Sequence, residues 1–360
     1  MTTGTNTGMV QTVLGPIKPE DLGVTLTHEH LLIDIRVTRG GAPTDPSGKA
    51  FYDKPVNMET VGYIRYYFTP NGDTSVLSDI DTAVDEAKLY KKHGGGTLVD
   101  ATSIGLSRDP VGLQQISLKS GVSVIMGSSY YVQATHSPDI DHKKEDEIVN
   151  EIVSDITKGV GDTQICSGII GEVGCTWPLT DNEYKILRAS ARAQQLTGAP
   201  LLVHPGRNEH APKEIIQILS DAGADISRTI MAHLDRTVFE KDTLSKIAQS
   251  GCYLEWDLFG REQSYYPLTD TQPERGMPSD TKRMEDIAWA IKHGFGNKVL
   301  VAHDICSKDR LIKFGGHGYF YILGHIIPRM RALGFKEEDI NNILVRNPAD
   351  ALTFTKPRAA

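Results

Sequence analysis

The sequence predicts a (β/α)8 TIM barrel carrying one long loop after its first strand. Three observations support this: eight short apolar runs spread over 360 residues, amphipathic helical stretches between them, and glycines that stop most of those helices. Short continuous apolar runs mark parallel strands buried on both faces. Eight strand–helix repeats in one chain suit a closed barrel, although a doubly wound open sheet shares the same local pattern.

The elements follow in order. Residues 24–26 form the first strand. Residues 34–78 then break the rhythm with Gly40-Gly41, Pro43, Pro46 and Pro55 and the aromatics Tyr63, Tyr66, Tyr67 and Phe68. Connections of this length often serve as lids or binding loops. Residues 79–92 read as an amphipathic helix stopped by Gly94-Gly95-Gly96, before a strand at 97–99. A helix at 110–119 ends at Gly121 and precedes a strand at 122–126. Residues 144–158 are helical in pattern and 167–171 strand-like. Thr180-x-x-Glu183 is a capping box opening a helix that Gly198 and Pro200 close, and a strand at 201–203 follows at once. Pro212 stands at the first turn of a helix that stops at Gly223. A strand at 229–232, a helix at 241–249, a strand at 252–256, a helix at 282–292 and a strand at 299–302 complete the series. No repeat, low-complexity segment or linker points to a second unit, so residues 1–360 are expected to form a single barrel domain.

Composition narrows the function. Apolar residues at 39% and charged residues at 23% are ordinary for a globular enzyme. A formal net charge of -8 without a basic stripe argues against a nucleic-acid partner. No run approaches ~18 apolar residues, so no membrane span is expected. The first twelve residues lack the basic start and apolar stretch of a secretory signal. The four cysteines form no CxxC pair and sit in or beside apolar runs, which suits reduced thiols in a cytoplasmic protein. A small molecule is the expected partner, and a homodimer is compatible with the composition.

Polar residues at the strand ends carry the chemistry. Thr27-His28-Glu29-His30 follows the first strand, and residues two apart on a strand share a face, so His28 and His30 can converge on one metal. Glu172 follows the fourth strand, His204 ends the fifth, His233 the sixth, and His303-Asp304 the eighth. That rim, where strands meet their C-terminal loops, is where barrel enzymes build sites. One buried histidine is ordinarily a satisfied core residue. Four histidines and two carboxylates repeating one placement on five strands make a stronger signal. Such a set suits zinc and related divalent ions, and it exceeds what one tetrahedral ion needs. Two divalent ions sharing a bridging carboxylate are therefore expected, activating one water between them. Asp100 and Asp257 end strands without adding to the ligand pattern and read as supports for the ligands. His136, His303, His317 and His325 have no fixed role.

The ordered series Thr27-His28-Glu29-His30, Gly171-Glu172-Val173-Gly174, His204-Pro205, His233-Leu234-Asp235 and His303-Asp304 resembles the phosphotriesterase branch of the amidohydrolase superfamily over nearly the whole chain. The stretches 168–179, 204–207, 233–237 and 315–319 are more closely similar to its phosphotriesterase-related subgroup. The resemblance implies a binuclear barrel in which His28, His30 and Asp304 hold the more buried metal and His204 with His233 the more exposed one. Founding members bridge their metals with a carboxylated lysine; this chain has Glu172 there, which supplies a two-oxygen carboxylate without the modification. That departure weighs against proficient organophosphate hydrolysis. It matches the subgroup, whose implied activity is amide hydrolysis of N-acetyltaurine, a small anionic acyl amide. A lactonase or phosphotriesterase using the same centre is the alternative, and a metal-bearing binding protein a second one.

On that reading Asp304 and Glu172 are catalytic as well as metal-binding, with Asp304 moving a proton from the attacking water to the departing amine. The sulfonate needs a cation, and Arg207 is the first candidate. Arg261 after the seventh strand, and Lys308 and Arg310 after the eighth, are rivals; Tyr130, just past the third strand, is a further substrate-binding candidate. Arg108-Asp109 and Asp235-Arg236 are expected to be loop ion pairs.

Overall fold

The computed structural model describes residues 6–39, 41–67, 71–264 and 276–358, so Gly40 and Phe68 of the long loop lie outside the described residues. Eight parallel strands run in sequence order through two arcs. The first arc holds β1 (Val24–Glu29), β2 (Gly95–Asp100) and β3 (Ser123–Met126); the second holds β4 (Ile170–Gly174), β5 (Leu201–His204), β6 (Thr229–Met231), β7 (Tyr253–Trp256) and β8 (Val299–Val301). Backbone hydrogen bonds join the arcs at both ends. Gly168 N donates to Met126 O at 2.9 Å between β3 and β4, and Asp304 N donates to His28 O at 3.1 Å between β8 and β1. The sheet is thereby a closed barrel rather than an open one.

Seven long helices alternate with the strands: α1 (Ile80–Lys92), α2 (Pro110–Ser120), α3 (Glu145–Thr157), α4 (Asp181–Thr197), α5 (Ala211–Asp221), α6 (Lys241–Gln249) and α7 (Asp280–Lys292). Their ends follow local chemistry. Asp109 caps α2 by accepting Gly112 N at 2.9 Å, and left-handed Gly121 ends it. Thr180 and Glu183 form the capping box of α4.

Strand alternation divides the apolar side chains into two cores. Leu201, Val203, Met231 and Leu254 pack outward with the helices. Leu202, Ile230, Tyr253 and Leu300 fill the barrel interior, where Val10, Leu22, Ala351 and Leu352 join them. Val10 belongs to a hairpin (Val10–Thr12 with Gly15–Ile17), and Leu352 ends the C-terminal helical turns Ile322–Ile326, Ile327–Ala332, Glu337–Asn341, Asn342–Arg346 and Asn347–Leu352. Both plug the end of the barrel away from the candidate site. Neither is foreseen by the strand–helix rhythm.

Two boundaries differ from expectation. The first strand runs on through His28 and Glu29, and the fourth begins three residues later than the apolar pattern suggests, which puts Glu172 inside β4. The long loop is partly structured. Its short helices Pro46–Tyr52 and Val61–Tyr66 are framed by the antiparallel pair Ile33–Asp34 and Val76–Leu77. No helix among the described residues is long and apolar enough to cross a membrane.

Candidate metal centre

At the C-terminal ends of the strands, ring nitrogens and carboxylate oxygens converge in three groups among the described residues. His28, His30 and Asp304 form one, Glu172, His204 and His233 a second, and His28, His233 and Asp257 a third that shares a residue with each of the others. Within each group the ligand atoms lie within 4.8 Å of one another. Glu172 connects them. Its Oε1 lies 3.4 Å from His30 Nε2, while its Oε2 lies 2.9 Å from His204 Nδ1, 3.4 Å from His28 Nε2 and 3.6 Å from His233 Nε2.

The chain bends to bring these groups together. Ile230 and Ala232 point into the barrel, so plain alternation would send residue 233 outward. His233 instead adopts a left-handed backbone (φ 55°), as does Asp304 (φ 50°). Non-glycine residues hold that conformation only where their surroundings enforce it. Asp257 enforces it at His233, accepting its backbone N–H at 3.0 Å and its Nδ1–H at 2.7 Å. Glu29 does the same around Asp304. It accepts from His303 N at 2.8 Å, His303 Nδ1 at 2.7 Å and Ile305 N at 3.1 Å.

His303 is thus a structural clasp, donating from Nδ1 to Glu29 while its Nε2 accepts from Ile322 N at 3.1 Å. Asp100 accepts Leu31 N at 2.6 Å and fixes the chain just past His30. Thr102 donates to Leu32 O, so its oxygen is left to accept from His30 Nδ1 at 2.9 Å. The Nε2 lone pair of His30 therefore faces Glu172 and Asp304, the latter at 3.3 Å.

The site is electrostatically incomplete without a cation. Burial pulls the His30 imidazole down, but Asp304 and Glu172 outweigh it and lift it to about 9. His28 is likewise raised despite burial, by Glu172 first. Burial, together with the neighbouring His233, pushes His204 down to about 3. Burial opposes ionisation of Glu172, yet His28 and His204 hold it well below the usual carboxylate range. His28 Nδ1 lies 3.0 Å from Asp257 Oδ2, its Nε2 makes no hydrogen bond, and His204 Nδ1 faces His233 Nε2 at only 2.8 Å. A buried imidazole nitrogen without a partner, amid rings and carboxylates crowded together, is what a divalent metal satisfies, so the donor set fits a metal centre.

A cavity of about 400 Å³ opens over this cluster. Ile33, Ile35, Leu106, Val132, Trp177 and Leu258 supply apolar wall, and Arg207, Arg236 and Arg261 supply cations. Arg207 and Arg261 stand where their sequence positions suggest. Tyr130 does not: its hydroxyl donates to Glu151 and accepts from Lys143 at 2.9 Å, away from the cavity. The next residue along the extended chain faces the other way, and Tyr131 reaches the cavity with its hydroxyl 3.2 Å from His204 Nδ1 and 3.4 Å from Nε2.

The two expected loop ion pairs also fail. Asp235 bonds buried Arg283 at 2.8 Å, which frees Arg236 to line the cavity and donate to His204 Nε2 at 3.1 Å and Pro205 O at 3.2 Å. Arg236 stands three residues after His233 on the short helix Leu234–Thr237, a spacing that returns a side chain to the same side. Asp109 caps α2, while Arg108 pairs with Asp155 at 2.9 Å. Lys308 pairs with Asp73 at 2.6 Å, and Arg310 lies behind the cavity wall.

A closed (β/α)8 barrel whose strand ends gather imidazoles and carboxylates beneath an accessible cavity defines a metal-dependent hydrolase. The profile of the Phosphotriesterase family matches residues 8–352, and the chain belongs to that family. An N-acetyltaurine hydrolase of Tetraodon nigroviridis is 42% identical over 348 residues, covering 96% of this chain and 98% of the relative. A phosphotriesterase-related protein of Nematostella vectensis is 42% identical over 349 residues, covering 96% and 99%. The crystal structure of a resiniferatoxin-binding protein from Rhodobacter sphaeroides superposes with a TM-score of 0.91 at 33% identity, covering 96% of this chain and 95% of that one.

Proposed function

We propose that this protein is a binuclear zinc amidase that cleaves N-acetyltaurine, and related N-acyl amino acids, to the carboxylic acid and the free amine. The observation that carries the reading is the cavity itself, in which three arginines stand beside the Glu172 cluster. Relatives named for this activity, matched over almost their whole length, support it. His28, His30 and Asp304 would hold one ion, His204 and His233 the other, with Glu172 shared. Bound ions supply an activated water and polarise the acyl oxygen.

The chain's own groups do the rest. Burial opposes the charge on Asp304, but His30, His233 and His28 keep it ionised, so it is ready to take a proton from the attacking water and deliver it to the amide nitrogen. The C–N bond breaks, water's oxygen goes to acetate and both its protons end on taurine and solvent. Arg236 Nη2, 3.1 Å from His204 Nε2, and the Tyr131 hydroxyl, 3.2 Å from its Nδ1, hold the His204 ring at the cavity wall. The arginines Arg207 and Arg261 grip the sulfonate by charge-assisted hydrogen bonds, and Arg236 adds a third positive group on the same wall. The free thiols Cys175, Cys252 and Cys306 support a cytoplasmic setting.

The test is a substrate panel: N-acetyltaurine, N-ethylacetamide, a γ-lactone and paraoxon, with metal content measured on the same sample. N-acetyltaurine should have the highest kcat/KM, with close to two divalent ions per chain. Preferential cleavage of the lactone would move the assignment to that alternative.

A further inference from the structure

Helix α4 opens on a carboxylate that does more than cap it. Glu183 is fully buried, and both of its oxygens are engaged. Oε1 accepts the Gln133 N–H at 2.9 Å. Oε2 accepts the Thr180 N–H at 3.0 Å, the Thr176 N–H at 3.1 Å and the Thr176 hydroxyl at 2.6 Å. A capping box needs only the bond to Thr180. The others reach across to the loops that leave β3 and β4. Those loops carry part of the wall of the metal cavity: Tyr131 and Val132 lie just before Gln133, and Cys175 and Trp177 flank Thr176. Gln133, Thr176 and Thr180 all lie outside the metal groups.

The held segments press on their neighbours through glycines. A Cβ on Gly174 would run into the Val132 backbone nitrogen, and one on Gly206 would lie 2.5 Å from the Thr176 carbonyl carbon. Cys175 N also donates to His204 O at 3.0 Å, tying the β4 loop to the end of β5. Gly206, and Arg207 directly after it, are therefore seated on the segment that Glu183 holds. We propose that Glu183 is a positioning residue for substrate recognition, fixing the loops after β3 and β4 so that Arg207 meets the anionic end of the substrate. Loops are the mobile part of a barrel rim, and removing their common acceptor strands buried donors on both. The choice of substrate here rests on the amidase reading; the tether itself does not.

The test compares Glu183→Ala and Glu183→Gln with wild type, all metal-loaded. In Glu183→Ala the KM for N-acetyltaurine should rise about tenfold or more while kcat stays within about threefold, the mark of lost binding and not of lost chemistry. N-ethylacetamide, which has no anionic end, should lose less than about twofold in kcat/KM. Glu183→Gln keeps an oxygen for Thr176 and Thr180 and should restore most of the KM. An unchanged KM in Glu183→Ala, or equal losses on both substrates, would overturn the proposal. Amide hydrogen exchange on the same samples needs no substrate. Residues 131–133, 175–177 and 205–207 should exchange faster in Glu183→Ala, and residues 28–30 and 303–305 at the wild-type rate. Equal protection of the three loops would also overturn it. Should wild type leave N-acetyltaurine intact, the amidase reading falls, and exchange alone decides whether Glu183 holds the loops. Should Glu183→Ala fail to fold, Glu183→Gln decides at residues 131–133, where its amide nitrogen meets the Gln133 N–H. Faster exchange there supports the tether, and unchanged exchange refutes it.

Discussion

Replacing Asp257 with asparagine separates the role of a supporting carboxylate from that of a ligand. Asp257 is fully buried, holds His233 through Nδ1–H at 2.7 Å and backbone N–H at 3.0 Å, and lies 3.0 Å from His28 Nδ1. Asparagine keeps the shape but has one oxygen, so its amide nitrogen must face one of the two His233 donors. One bond is lost, and the survivor falls from a charge-assisted bond of about 1.5–3 kcal/mol to a neutral one of about 0.5–1.5 kcal/mol. Both bonds exist before metal binds, so most of that loss appears as stability. The part that reaches the metal is the lowered basicity and looser aim of His233, about 10–100-fold in affinity, or about 1.4–2.7 kcal/mol. Chelator competition on the folded variant, with circular dichroism as the control for folding, measures it. A metal affinity within twofold of wild type would show that Asp257 does not tune His233.

Four further outcomes are expected. Glu172→Gln removes the charge shared by both metal groups, so metal content by mass spectrometry should fall from about two ions per chain to one or fewer, while wild-type reconstitution should be indifferent to bicarbonate. Arg207→Ala should weaken kcat/KM for N-acetyltaurine by about 30-fold or more, the effect of losing roughly 2 kcal/mol from a buried charge pair, with N-ethylacetamide and metal content unchanged; equal losses on both substrates would refute its role as the anion grip. Despite the opposing pull of burial, His30 is lifted from 6.5 to about 9 in the metal-free site, so its contribution to metal-free stability is full below pH 6.5 and lost as pH rises through 9. A metal must displace that proton, and apparent affinity should tighten at least about tenfold per pH unit between 7 and 8, since His28 is raised as well; pH-independent competition titrations would contradict this. Asp235→Asn removes one of the two buried carboxylates that hold Arg283, leaving Asp280 at 2.7 Å, and should cost about 1.5–3 kcal/mol, the worth of a charge-assisted bond, in denaturant unfolding.

The rhythm of apolar runs was sufficient to place the eight strands and seven long helices, because buried parallel strands and amphipathic helices write their periods directly into sequence. The convergence of His28, His30, Glu172, His204, His233 and Asp304 was legible because each lies in or just past the last half of a strand, although Glu172 sits inside β4 and not at its exit. What escaped was decided by contacts between distant segments. Tyr130 and Tyr131 differ only in which way an extended chain turns them, and nothing local says which faces inward. Asp235 beside Arg236 suggests a pair, yet Arg283 claims the aspartate from 48 residues away. Glu29 and His303 gain their meaning only when the first and eighth strands meet, and the N-terminal hairpin and C-terminal helical turns only when the barrel needs a floor.

The clasp between Glu29 and His303 also sets an order of events. His28 and His30 emerge from the ribosome early, whereas Asp304 and the partner that aims it come some 274 residues later. A half-made chain therefore carries the first imidazoles without the carboxylate that completes their group. A chain cut short before residue 303 should leave no partially active fragment behind.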